Sequence, residues 1–224
     1  MAPGVHAIRR NWPPIVVIQA AAAVLLWMYY TVAPFHLRLD ALAQAKVAGG
    51  LLASGLIGAL AGGIVPEIAK AVTGRVKRFD AAWAEKTAFT ALLYGLLGVT
   101  VDLLYREQTH LFGSQADLRT LTCKTCLDMF GYTPFISIPF ACCMLAFYES
   151  RYRFTRFRAA LADSFFMKRV LPSLVLCWAF WIPVLYCVYA FPLPIQFIIA
   201  MLAEAAWVVI FVFMNTSEPV VAVE

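Results

Sequence analysis

The sequence predicts an all-α integral membrane protein, a bundle of about six transmembrane helices with both termini on the same side. Three observations predict it. Apolar residues make up 62% of the 224 positions and charged residues only 14%, against roughly 45–50% and about 25% in soluble domains, and mean hydropathy is +0.78. The charges are clustered, so long stretches carry almost none. Lysine and arginine are also distributed unevenly between the two sets of loops those stretches define.

A bilayer core takes about 20 mostly apolar helical residues. The first stretch of that kind is Pro14 to Ala33, the second Val47 to Ile68 and the third Thr87 to Tyr105. The fourth is Leu127 to Phe147, the fifth Val170 to Phe191 and the sixth Pro194 to Phe213. None shows the alternation of a barrel strand, so helices follow, because backbone groups in lipid must be satisfied within the segment. Arg9 and Arg10 precede the first stretch in the manner of a signal peptide. That stretch exceeds the usual apolar run of roughly 7–15 residues, and Pro34 follows the poor cleavage site Thr31-Val32-Ala33, so it reads as a retained span.

With six spans, the loops on one side hold Arg38, Lys46, Arg106, Arg119 and Lys124, and the other thirteen of the eighteen Lys and Arg lie on the side of the termini. Positive charge stays on the side from which a chain inserts, so both termini face the cytoplasm or its organellar equivalent. Two basic loops on that side carry a helical pattern. In one, Phe154, Phe157, Leu161 and Phe165 recur with Arg153, Arg156 and Arg158 between them; in the other, Val76, Phe79 and Trp83 recur. Each reads as a short interfacial helix, apolar side down and basic side on lipid headgroups. Basic residues placed immediately beside spans argue against nucleic acid as a partner.

Within the spans, Ser54, Gly58 and Gly62 share one helix face, as do Ala91 and Gly95, and small faces let backbones approach. Pro66, Pro134, Pro139, Pro172 and Pro183 interrupt or bend the helices that contain them. Ionisable groups at membrane depth are the sharpest functional signal. Glu204 lies about 15 Å into the sixth span at the helical rise. Asp102 falls near the end of the third. Lys124 and Asp128, four apart at the start of the fourth, share a face and can pair. Cys123 and Cys126 form a CxxC with no second pair to complete a zinc set, and His6, His36 and His110 all fall outside the spans. No metal or other cofactor is expected. No P-loop, HExxH, or GxSG serine with an intramembrane histidine is present, so no enzyme is expected.

The stretches GLLGVTVDLLY and KTCLDMFGYTP resemble the Mpv-seventeen family, also called the twenty-two-kilodalton peroxisomal membrane protein family. Gly98 and Tyr105 keep that family's glycine-to-tyrosine spacing, and Lys124, Asp128 and Pro134 keep its Lys-x-x-x-Asp and proline spacing. Trp181, Pro183, Pro192 and Trp207 echo its C-terminal pattern. Val99, Asp102 and Leu104 stand where the family has Pro, His and Trp; Met129 stands in place of a Gln, and Gln196 in place of an Arg. The likeness covers roughly residues 47–215. It implies residues 47–216 as a family-like helical domain, preceded by an extra helix and loop over 1–46 and followed by a short tail over 217–224. It also implies a small membrane protein associated with pores. A mitochondrial inner, a peroxisomal or a bacterial inner membrane is equally allowed.

Two functional classes follow. One is a channel or pore for small solutes or ions, with Asp102, Lys124, Asp128 and Glu204 near its path. The other is a non-transporting scaffold that binds lipids or partner helices through Arg153, Arg156 and Arg158 and the small-residue faces. The expected partners are the lipid bilayer and a second copy of the chain.

Overall fold

A computed structural model describes residues 3–76, 78–162, 165–166 and 170–215. Side-chain positions are described within residues 12–209, apart from 14, 77, 162–164, 167–169, 172 and 176. The side chains of His6, Arg9 and Arg10, with Lys77, Lys168, Arg169, the expected tail over 217–224 and the side chain of Pro172, lie outside them. Among the described residues the chain is all-helical, with no strand. In chain order the helices are α1 (Pro3–Thr31), α2 (Ala33–Val72), α3 (Ala81–Phe112), α4 (Leu118–Glu149), α5 (Phe154–Ala162), α6 (Leu171–Tyr189) and α7 (Leu193–Asn215). Of these, α2, α3 and α4 are long and apolar enough to cross a membrane, while the apolar parts of α1, α6 and α7 are shorter. Each of the six apolar stretches lies within a helix or ends within a few residues of one.

The boundaries have local causes. Val32 is extended and Pro34 opens α2, where a missing N–H costs nothing. Gly50 sits at φ 57 and ψ −145 inside α2, a backbone state that glycine enters without a steric penalty. It divides an amphiphilic first part carrying His36, Asp40 and Lys46 from the apolar part that follows. The expected boundary at residue 46 therefore falls within α2, just before this kink. Asp80 caps α3 by accepting from Trp83 N at 2.9 Å, and Phe79 packs edge-on against the Trp83 ring at 5.0 Å. Asp117 caps α4, and its carboxyl is held below its ordinary value by hydrogen bonds from the Thr120 hydroxyl and the Thr120 and Arg119 amides.

Two of the expected prolines are absorbed by widened turns. Residues Ala59–Ile64, just before Pro66, and Leu127–Ser137, around Pro134, are π-helical. A proline has no N–H to donate and its ring crowds the carbonyl four residues back, so a wider turn relieves the clash. In the i→i−5 pattern, Pro134 would have donated to Met129. The Met129 carbonyl instead accepts from the Trp178 indole at 2.7 Å, which ties α4 to α6.

Helices α2 and α3 run antiparallel with their backbones in contact. A Cβ on Gly58 would stand 2.5 Å from the Tyr94 carbonyl and 3.0 Å from Gly98 Cα. One on Gly98 would stand 2.7 Å from the Ser54 carbonyl, and one on Gly63 would stand 2.5 Å from Ala91 Cα. Small residues of both helices thus meet, but offset from the two faces read from the sequence: Ser54 and Gly58 meet Gly98, Gly62 meets the Tyr94 ring, and Ala91 and Gly95 meet Gly63 and Gly55. Helix α6 is central: Phe180, Val184 and Val188 are fully buried, with α1, α4 and α7 packed around it. The outer surface is apolar, with Leu52, Leu56, Leu92, Leu103, Phe130 and Phe135 exposed, the last at 78%.

The basic loops differ from expectation in one case. The Arg153–Arg158 stretch does form a separate helix, α5, with Phe157 packed edge-on at 5.5 Å from Phe147 and Arg153, Arg156 and Arg158 exposed. Among the described residues the other stretch forms no helix of its own. Val76 and Phe79 lie in the irregular connection between α2 and α3, and Trp83 belongs to the first turn of α3. Asp80 stops the pattern there, because its side chain is spent on the cap.

Substituting Gly58 or Gly98 with alanine should cost about 1–3 kcal/mol of stability by forcing the backbones apart. Gly55→Ala, whose Cβ would meet Val99 at an ordinary 3.4 Å, should be near neutral. Thermal unfolding in detergent checks this, and equal losses at Gly55 and Gly58 would contradict the packing described.

Candidate functional site

Polar side chains collect at one end of the bundle, where α2 starts, α3 ends, α4 starts and α6 turns into α7. There Asp102 on α3 is 3% exposed. Its carboxylate accepts from the Lys46 ammonium, from Ser54 Oγ at 2.8 Å and from Arg106 Nη2 at 2.7 Å. Lys46 and Ser54 come from α2 on either side of the Gly50 kink, and the Ser54 hydroxyl also lies 3.2 Å from the Gly50 carbonyl. The Lys46 ammonium stands 4.7 Å from the centre of the Phe197 ring of α7, a favourable placement for a desolvated cation. A buried carboxylate with two cations and a hydroxyl is fully served, so Asp102 works as a junction between α2 and α3, with α7 reached through Lys46. Lys46 and Arg106, assigned to loops from the sequence, are helix residues: Lys46 is buried against Asp102, and Arg106 reaches the same carboxylate from an exposed position.

Lys124 and Asp128 share a face of α4 without pairing. Lys124 is almost fully buried and donates to Thr109 Oγ1 at 3.0 Å, with its ammonium 5.9 Å from the Tyr189 ring centre. Its own carbonyl accepts from Gln108 at 3.0 Å. Asp128 accepts instead from Tyr189 Oη at 2.6 Å and from Thr133 Oγ1 at 3.2 Å. Residues five apart become neighbours where the turn is π-helical, and so Thr133 reaches Asp128. The widened turn gives Asp128 one partner, Thr133, and α6 gives it another, Tyr189, in place of the lysine four residues before it.

Asp128 opens on a cavity of about 280 Å³ bounded by α3, α4, α6 and α7. Glu204 of α7 lines the same cavity, so two of the four acids and bases singled out from sequence meet in one place. Asp102 and Lys124 are not among the lining residues. Five aromatic side chains complete the walls: Tyr94, Tyr105, Tyr132, Trp181 and Trp207. The rest of the lining is largely apolar. Tyr105 is buried and packs edge-on at 5.2 Å from Tyr189. Tyr132 shares a 2.6 Å hydrogen bond with Thr100, and Trp207 stacks at 4.4 Å on Phe180. Two further positions from the family-like pattern lie outside the cavity: Gly98 at the α2–α3 crossing and Pro183 on the exposed side of α6. Pro134 sits in the π-helical wall. Gln196 donates to the Tyr189 and Phe191 carbonyls at 3.3 and 2.8 Å, and so closes the α6–α7 turn.

Sequence reasoning missed Lys46, Tyr189, Tyr94 and Tyr132. Lys46 carried a signal, being four residues from a glycine at the start of a span. The tyrosines carried none, because aromatic residues are common throughout the chain. The cysteines stay free: Cys123 is half-buried, Cys126 exposed and Cys177 buried.

Replacing Lys46 with methionine leaves Asp102 without its most buried cation, and replacing Asp102 with leucine strands Lys46. Each single change should cost about 3–5 kcal/mol, whereas the pair made together should recover most of the loss. Unfolding of the two single variants and the double variant in mixed micelles measures the coupling, and additive losses would rule out the pair.

Comparison with family models, with curated proteins and with solved structures finds no significant match to this chain, so the chemistry of the cavity is argued from its own residues.

Proposed function

We propose that this chain is a multi-pass membrane protein of six spans whose cavity is a small-solute site on a path across the bilayer. The observation that carries this is the joining of Asp128 and Glu204, two acids from different apolar helices, in one cavity with aromatic walls. Acids at membrane depth are costly and mark solute or proton paths. An exposed belt of leucine and phenylalanine on α2, α3 and α4 suits contact with lipid tails. Six alternating spans agree with the contacts. Gln19 meets Ala179 and Tyr30 meets Ala190, so α1 and α6 are parallel. Thr122 meets Tyr186 and Met129 meets Trp178, so α4 and α6 are antiparallel. The likeness of the Gly98–Tyr105 and Lys124–Pro134 stretches to a pore-associated family supports the same reading.

The second reading is a lipid-binding scaffold. The exposed Arg153, Arg156 and Arg158 on α5 favour it. The small-residue faces give it no support, because they are used inside the chain between α2 and α3.

Reconstitution in proteoliposomes and planar bilayers separates the two. A transport path predicts solute flux or conductance that falls at least tenfold in Glu204→Gln and Asp128→Asn and is retained when the three α5 arginines are neutralised. Absence of flux, together with anionic-lipid retention that disappears with those arginines, would favour the scaffold. The six-span arrangement further predicts that a cysteine placed at Arg153 is labelled from the side of both termini and one at Arg119 from the opposite side.

A further inference from the structure

We infer that the cavity takes a small organic monocation, an ammonium group carried on an apolar body about the size of one aromatic ring. This rests on the reading of the cavity as a solute site and adds the chemical class of the solute. Among the described lining residues there are two carboxylates and no lysine, arginine or histidine. The nearby cations are committed elsewhere, Lys46 to Asp102 and Lys124 to Thr109. The Glu204 carboxylate accepts no hydrogen bond from any described residue, although it lines an otherwise largely apolar space. Asp128 has two donors, which leaves acceptor capacity on a group that can take about four. An ammonium supplies both what Glu204 lacks, a positive charge and N–H donors.

The walls point to the same class. Tyrosine and tryptophan rings attract cations through their faces, and five of them line the cavity that holds the two acids. At about 280 Å³ the space is roughly twice the ~150 Å³ cavity that holds a benzene molecule, so a ring with a short aminoalkyl chain fits. An anion of the same size would meet two carboxylates with no cation to balance them. A bare divalent metal is disfavoured, because among the described residues no group of three or more His, Cys, Asp and Glu could hold one.

The test uses the full chain in lipid nanodiscs and three probes that share one ring: 2-phenylethylammonium, 2-phenylethanol and phenylacetate. Calorimetric titration, with empty nanodiscs subtracted, should show the ammonium binding at least tenfold more tightly than the alcohol and no binding of the carboxylate. Glu204→Gln should remove that preference and leave the alcohol unchanged. Equal affinity for ammonium and alcohol, a preference for phenylacetate, or no binding of any probe would each overturn the inference. The wild-type comparison alone decides if the variant fails to fold. Charge-selective binding without flux in proteoliposomes would remove the transport reading and leave the cation site standing. Flux of the alcohol at the rate of the ammonium would do the reverse.

Discussion

The backbone-to-backbone approach of α2 and α3 is the constraint on which the rest of the bundle depends. Lipid tails are as apolar as leucine, so helices in a bilayer gain little from hiding apolar surface against one another. What holds them is close packing and hydrogen bonds that have no other partner. Glycines at 58, 63 and 98 remove the side chains that would stand between α2 and α3. Only at that separation can the short Ser54 hydroxyl reach the Asp102 carboxylate while Lys46 reaches it from the far side of Gly50. The glycines and the ion network are therefore one device. Packing brings the groups together, and the cost of leaving Asp102 or Lys46 unpaired resists separation. With α3 fixed in this way, Thr100, Gln108 and Thr109 are placed to bind Tyr132 and Lys124, and α4 is set against α3.

The π-helical segment of α4 serves the cavity through the groups it frees. A regular helix satisfies each carbonyl internally and presents neighbours three and four apart. Around Pro134 both features change. The Met129 carbonyl is released to the Trp178 indole, so a defect in one helix becomes a tie to the next. Thr133 reaches Asp128 across five residues. Tyr189 completes that carboxylate from α6, which leaves Lys124 to the end of the bundle and keeps its charge out of the cavity. The acidic character of the cavity follows from where these groups turn: Lys124 donates to Thr109 and Asp128 accepts from Tyr189 and Thr133, so the i,i+4 pair that would have neutralised Asp128 does not form.

Much of this was legible in the sequence. Composition and charge-free runs locate the helices, because a long apolar helix is marked by its length and apolarity more than by particular partners. The small-residue faces at Ser54, Gly58 and Gly62 and at Ala91 and Gly95 were readable, since close approach has one residue chemistry. Asp128 and Glu204 stood out as acids in apolar stretches, yet nothing in the chain order says that residues so far apart face the same space. The Lys46–Asp102 pair was hidden for a related reason. A lysine at the edge of a span looks like loop charge until the crossing angle of two helices is known. The π-helical turns were implied only as bends, because a proline predicts a disturbance without saying which carbonyl is freed or what will claim it.

The ion network also sharpens the asymmetry of charge from which direction was argued. Counted as residues, Arg38, Lys46, Arg106, Arg119 and Lys124 oppose the larger positive set at the other end. Counted as charges facing water, fewer remain. Lys46 and Lys124 are buried, and Arg106 and Lys46 share the Asp102 carboxylate. At the opposite end, Arg151, Arg153, Arg156 and Arg158 are exposed around α5, and Arg75, Arg78 and Lys86 are exposed beside the α2–α3 turn. The bundle therefore exposes its cations unevenly, with the larger exposed set around α5 and the α2–α3 turn. The pairing that fastens α2 to α3 also withdraws Lys46 from water, so the contact that joins the two helices and the uneven exposure of charge both involve Asp102.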